Sequence, residues 1–220
     1  MRKDLLRTAE IYHVVNKSIA GYTIFNNNEE FFRMLSVIRY YQRKNPGISF
    51  CRFFDPSEDG KDNFCDFTVL EDKEKLVEII SYCLMPTHFH LILKQLIDNG
   101  ISTFISNVAN SYARYFNLKH KRKGPLWEGR FKSILVKSDE QLLHLTRYIH
   151  LNPVTALITN EPHDWQMSSY NEYAYTMAEN KRICNYSDIL SIDPDSYGKF
   201  VKDRIAYQKE LAKIKALMLE

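Results

Sequence analysis

The sequence predicts an α+β domain of ferredoxin-like (RRM-like) pattern: an antiparallel β-α-β-β-α-β sheet, a further helix, and a small helical C-terminal appendage. Three observations predict it. Short runs of β-branched and aromatic residues alternate with longer stretches whose apolar residues recur at helical spacing. Two strand-like runs, "LVEIISYCLMP" and "HFHLILKQ", meet across Met85-Pro86-Thr87, too short for anything but a tight antiparallel connection. A last helical pattern with its own cap follows the sixth element.

Each element has its own signal. "EIYHVVNKSI" (10–19) reads as a first strand. "NNNEEFFRMLSVIRYYQRK" offers asparagine caps and then Phe31, Leu35, Ile38 and Tyr41 near helical spacing. From about 45 to 75, "NPG", "DPSEDG" and acidic residues read as an inserted loop with a hairpin. The two central strands come next. Ile101, Phe104, Ile105, Val108, Tyr112, Tyr115 and Phe116 then form one stripe of a long helix that Gly124-Pro125 stops. "RFKSILVKS" is a fourth strand. Ser138, with Gln141 at the capping-box position, starts a helix running to Pro153. The expected organisation is a catalytic domain over 1–160, with the insert at about 45–75, and an appendage over 161–220.

Composition narrows the class. The 220 residues carry 45% hydrophobic and 26% charged side chains, as in an ordinary globular protein. No apolar run approaches the ~18 residues that cross a bilayer, and the charged N-terminus lacks a signal-peptide core. Cys51, Cys65, Cys83 and Cys184 lie far apart with no C-x-x-C, which argues for a reducing, cytoplasmic setting. The net charge of +3 is small, but 114–137 holds Arg114, Lys119, Lys121, Arg122, Lys123, Arg130, Lys132 and Lys137 against Glu128 alone. With Tyr115, Phe116, Trp127 and Phe131 interleaved, this is either a phosphate-binding strip or a solvated basic face.

Within "MPTHFHLIL", His88 and His90 project from one face of a strand while Phe89, Leu91 and Leu93 project from the other. Such a pair is a half-exposed strand face or two metal ligands aimed at one point. On the last helix, Leu142, Leu145 and Ile149 form a core stripe, and Gln141, His144, Tyr148 and Asn152 a polar one. Taken alone, Tyr148 reads as a half-buried packing residue with its hydroxyl in water, one of 14 tyrosines in the chain. Asn152 before Pro153 reads equally as the cap of a following turn.

The blocks "YCLMPTHFHLILKQ", "NSYARYFN", "GPLWEGRFKSILV" and "RYIHLNPV" resemble those of the REP-associated tyrosine transposases, in the single-tyrosine HUH transposase superfamily. The resemblance covers roughly residues 10–170. It implies a nuclease that cuts single-stranded DNA, joins the 5′ end to a tyrosine and rejoins strands with a divalent metal, Mg²⁺ or Mn²⁺. Carried over, His88 and His90 match the HUH histidines and Tyr148 the nucleophile. Asn152 takes the place of a third metal ligand, a glutamine in the sister insertion-sequence group. His144, one turn before Tyr148, is a candidate to assist its deprotonation, and Trp127, Arg130, Lys132 and the basic strip are candidates to grip DNA.

The implied partner is single-stranded, hairpin-forming DNA, with no membrane and no nucleotide cofactor, for a monomer or homodimer. Two other classes stay open. One is a non-catalytic nucleic-acid-binding module on the same fold. The other is a metal-dependent hydrolase without a covalent intermediate.

Overall fold

A computed structural model of the chain describes residues 5–44, 47, 50–53, 67–70 and 73–210. The elements are β1 (Ile11–Lys17), α1 (Asn28–Tyr41), α2 (Phe50–Phe53), β2 (Val77–Met85), β3 (His88–Gln95), α3 (Gly100–Lys119), β4 (Lys132–Leu135), α4 (Asp139–Thr155), α5 (Tyr170–Ala174) and α6 (Pro194–Lys202). The sheet runs β2-β3-β1-β4 with every pair antiparallel, which is the ferredoxin-like order expected. Among the described residues no helix is long and apolar enough to cross a membrane.

The local signals act as physical chemistry requires. The Asn27 side chain accepts from the Glu30 N–H at the start of α1, and Ser138 does the same for Gln141 at the start of α4. Gln141 reciprocates, its Oε1 accepting from the Lys137 N–H at 2.7 Å rather than from the cap residue itself. Pro86 and Thr87 close the β2–β3 hairpin. Most of the expected insertion at about 45–75 lies outside the described residues; α2 within it packs Phe50 and Phe53 against Tyr40 of α1.

One sheet face, carrying Tyr12, Val14, Phe89, Leu91 and Leu93, is fully buried, with α3 packed on its strands and α1 packed against α3. The helix stripe Ile101, Phe104, Ile105, Val108, Tyr112 and Phe116 is its counterpart, buried throughout. On the other face α4 lies over the β2 side, while Ile134 on β4 is 58% exposed. Half of that face is therefore covered and half is open.

Residues from 161 onward close the β2 edge. The Leu84 N–H donates to the Met167 carbonyl and the Ser169 N–H to the Tyr82 carbonyl, so 167–169 pairs as a short extra ribbon. Tyr170, Tyr173, Tyr186 and Tyr197 are buried in the same core as the sheet. This segment, expected as a helical appendage, carries the short helices α5 and α6.

At the other end of the sheet, Gly100 opens α3 against the backbone carbonyl of Leu76, an oxygen that already accepts from the Leu96 N–H. A methyl group there would overlap that carbonyl. We expect Gly100→Ala to destabilise the fold by about 1–3 kcal/mol, measured as a lowered urea midpoint with an unchanged slope; an unchanged midpoint would contradict this packing.

Candidate active site

The site is assembled by strand pairing. Lys17 stands opposite His88 and Val15 opposite His90 in the β1–β3 ladder, so His13, Val15 and Lys17 share a face with both histidines. The rings of His88 and His90 lie 5.0 Å apart at 76°. The Oγ1 of Thr87 sits 3.0 Å from Nδ1 of His88. The Nε2 of His13 sits 2.9 Å from Nδ1 of His90, the two rings nearly parallel at 5.2 Å. His13 was not singled out in the sequence, although its alternation with Val15 and Lys17 on the strand next to "HFH" was there to be read.

Helix α4 brings Tyr148 to the same point. Thr146, Ile149, His150 and Pro153 are buried, which leaves Tyr148 on the helix flank at 48% exposure. Its ring lies edge-on to His90 at 6.0 Å and to His13 at 6.4 Å. The expected cap role of Asn152 is not adopted: α4 continues through Pro153 to Thr155, and the Asn152 carbonyl accepts from the Ala156 N–H inside the helix. Its side-chain Nδ2 is buried without a hydrogen-bond partner. An unsatisfied buried amide N–H costs about 1–3 kcal/mol.

Among the described residues no three His, Cys, Asp or Glu side chains are grouped to hold a metal ion. A cation here would depend on two imidazoles and an amide oxygen, a set that fits Mn²⁺ and tolerates Mg²⁺. The histidines are in the right state for it. Burial pushes His88 down to about 4, with the Lys17 charge adding to it, and His90 down to about 3, with His13, His88 and Lys17 contributing. Both rings keep a lone pair at neutral pH.

Other expected site residues are placed elsewhere. The Nδ1 of His144 lies 2.9 Å from Arg147, and its ring meets Phe200 of α6 at a tilt, centroids 5.6 Å apart. Lys119 is tied to Glu29 at 2.8 Å and to Tyr115, and Arg122 binds Asn117 and the Pro125 carbonyl. These two hold the end of α3 in place. Trp127 donates from Nε1 to the Ala109 carbonyl and wedges against Phe89 and Tyr112. Arg114, Lys121 and Lys123 are exposed on and after α3. Lys132 and Arg130 line a cavity of about 230 Å³ with Val15, Lys17, Glu128 and Gly129, and Val15 and Lys17 are the strand partners of His90 and His88. Lys17 is a cation the sequence reading passed over.

Residues 64–152 match the family described as "Transposase IS200 like", a span that includes both histidines, Tyr148 and Asn152. This chain resembles the IS200-like transposases. It is 28% identical over 105 residues to a Haemophilus influenzae protein named "Putative REP-associated tyrosine transposase", across 43% of this chain and 59% of that relative's length. Its fold matches a solved structure of a REP-associated tyrosine transposase bound to a REP hairpin, with a TM-score of 0.54 and 14% identity over 88% of this chain and 98% of that one.

Buried imidazoles set how this fold responds to acid. Burial pushes His13 down to about 4 and His150 down to about 3, alongside His88 and His90. The unfolded chain protonates each near pH ~6.5, so their contribution is complete above that value and is lost as pH falls toward about 4. Glu172, whose carboxyl burial pushes up against hydrogen bonds from Cys184 and Ile183, acts in the opposite sense. We expect the thermal midpoint in metal-free buffer to fall steadily between about pH 7 and pH 5; a flat profile would mean these imidazoles are not held neutral.

Proposed function

We propose that this chain is a metal-dependent endonuclease and strand transferase for single-stranded DNA, with Tyr148 as nucleophile. One observation carries the reading: a half-exposed tyrosine stands edge-on to His90 and His13, on the sheet face that also carries His88. A binding module gains nothing from that convergence. The family resemblance across the same residues supports it.

A phosphodiester repels nucleophiles because it is anionic, and its 3′ oxygen leaves poorly. A divalent ion held by His88, His90 and the Asn152 amide would supply Lewis-acid polarisation of the phosphate when bound. The chain does the rest. The Tyr148 oxygen attacks phosphorus as its phenol proton passes to solvent or a base, the bond to the 3′ oxygen breaks, and that oxygen leaves as a 3′-hydroxyl. The product is a 5′-phosphotyrosine, which retains the bond energy so that another 3′-hydroxyl can reverse the step without ATP. Lys17, Arg130 and Lys132 line one cavity and are suited to seat the flanking phosphates.

The DNA we infer is hairpin-forming, since the relative in the solved complex is bound to a hairpin. The ribbon at 167–169 covers the β2 edge of the sheet, and β4 is the strand at the other edge.

Incubation with labelled hairpin oligonucleotides and Mn²⁺, followed by a denaturing gel, tests this. Wild-type protein is expected to form a covalent adduct that Tyr148→Phe and His88→Ala reduce below detection. Cleavage without any adduct would point instead to a hydrolase, and binding without cleavage to a module. Asn152→Ala is expected to weaken Mn²⁺ binding by about tenfold or more while leaving the melting temperature within about 3 °C, read by titration followed with electron paramagnetic resonance.

A further inference from the structure

We propose that His13 is a positioning residue for His90: it accepts the Nδ1 proton of that imidazole and so turns the Nε2 lone pair of His90 to the metal. This rests on the metal-site reading above.

The argument is one of donors and acceptors. The Nε2 of His13 and Nδ1 of His90 are 2.9 Å apart, a hydrogen bond that needs one proton between two nitrogens. Only two arrangements of neutral rings satisfy it. If His13 donates, His90 keeps its own proton on Nε2 and that nitrogen has no lone pair to offer. If His90 donates, its proton sits on Nδ1 and Nε2 is free to ligate. The second arrangement alone is compatible with His90 as a ligand, and it requires His13 to accept. Ligating histidines commonly hand their second N–H to such a partner, which fixes tautomer and ring angle together.

The surroundings leave this task to His13. Opposite His90 stand Val15 on β1, which cannot accept a proton, and Cys83 on β2, whose thiol is turned to the Met85 sulfur. His90 itself is 6% exposed, so solvent is a poor substitute. His88 is held differently, by the Thr87 hydroxyl, which can either donate or accept and so does not select a tautomer. The asymmetry assigns the selecting role to His13. Because its Nε2 is committed to His90, His13 is not itself a ligand.

The test needs no catalysis. In the metal-free wild-type protein labelled with ¹⁵N, long-range proton–nitrogen spectra are expected to show His90 protonated on Nδ1. His13→Leu should shift it to the Nε2-protonated form and weaken Mn²⁺ binding about 10- to 100-fold, whereas His13→Gln, which keeps an acceptor, should stay within about threefold of wild type. Electron spin echo spectra of bound Mn²⁺ should count two imidazoles. The proposal is overturned by an Nε2-protonated His90 in the wild type, by equal Mn²⁺ affinity in His13→Leu, by equal losses in both variants, or by a third coordinated imidazole. If the wild type takes up no Mn²⁺, the metal reading falls, and the tautomer of His90 in the wild type still decides the role of His13.

Discussion

The antiparallel pairing of β1 with β3 is the constraint on which the rest of the molecule depends. Its register sets Lys17 against His88 and Val15 against His90, and that places His13 within hydrogen-bond reach of His90. A slip of one residue would exchange the two faces of β3, burying both imidazoles under α3 and exposing Phe89, Leu91 and Leu93. Those three side chains, each fully buried, forbid it. The energy that protects the register is therefore hydrophobic, while its product on the opposite face is chemical.

Helix α4 supplies the second half of the site and is anchored by a polar cluster. His150, fully buried, lies 2.7 Å from the Tyr197 hydroxyl, 2.8 Å from Ser169 and 3.1 Å from Ser81. Through these contacts one side chain joins α4 to β2, to the ribbon at the sheet edge and to α6. Tyr148 is two residues away on the same helix, so the angle at which it meets the histidines is set by residues of the C-terminal segment as well as by the sheet. Polar cores of this kind are costly unless every group is satisfied, and here each ring nitrogen of His150 has a partner.

Much of this was legible in the sequence where a residue's neighbours are local. The caps Asn27 and Ser138, the turn at Pro86 and the stripe on α3 each declare themselves within a few positions. The "HFH" pair could be read as facing one way because a strand alternates. What was not legible depends on partners distant in the chain. The sequence offers no sign that Lys119 is engaged in fastening α3, because Glu29 is 90 residues from Lys119. Nor does it show His144 turning to Phe200, or His150 finding Ser81 and Tyr197.

Asn152 illustrates why such ambiguity arises. Asparagine before proline ordinarily ends or begins a helix, since the proline ring lacks an N–H and crowds the preceding residue. In this chain the helix continues because Pro153 and Val154 are buried against the core, and packing outweighs the one lost hydrogen bond. The consequence is specific. A cap would have used its side-chain oxygen on a backbone N–H. Held inside the helix instead, Asn152 keeps its amide one turn beyond Tyr148, with the nitrogen buried and unpartnered. Proline in the helix interior thus keeps the asparagine from serving as a cap.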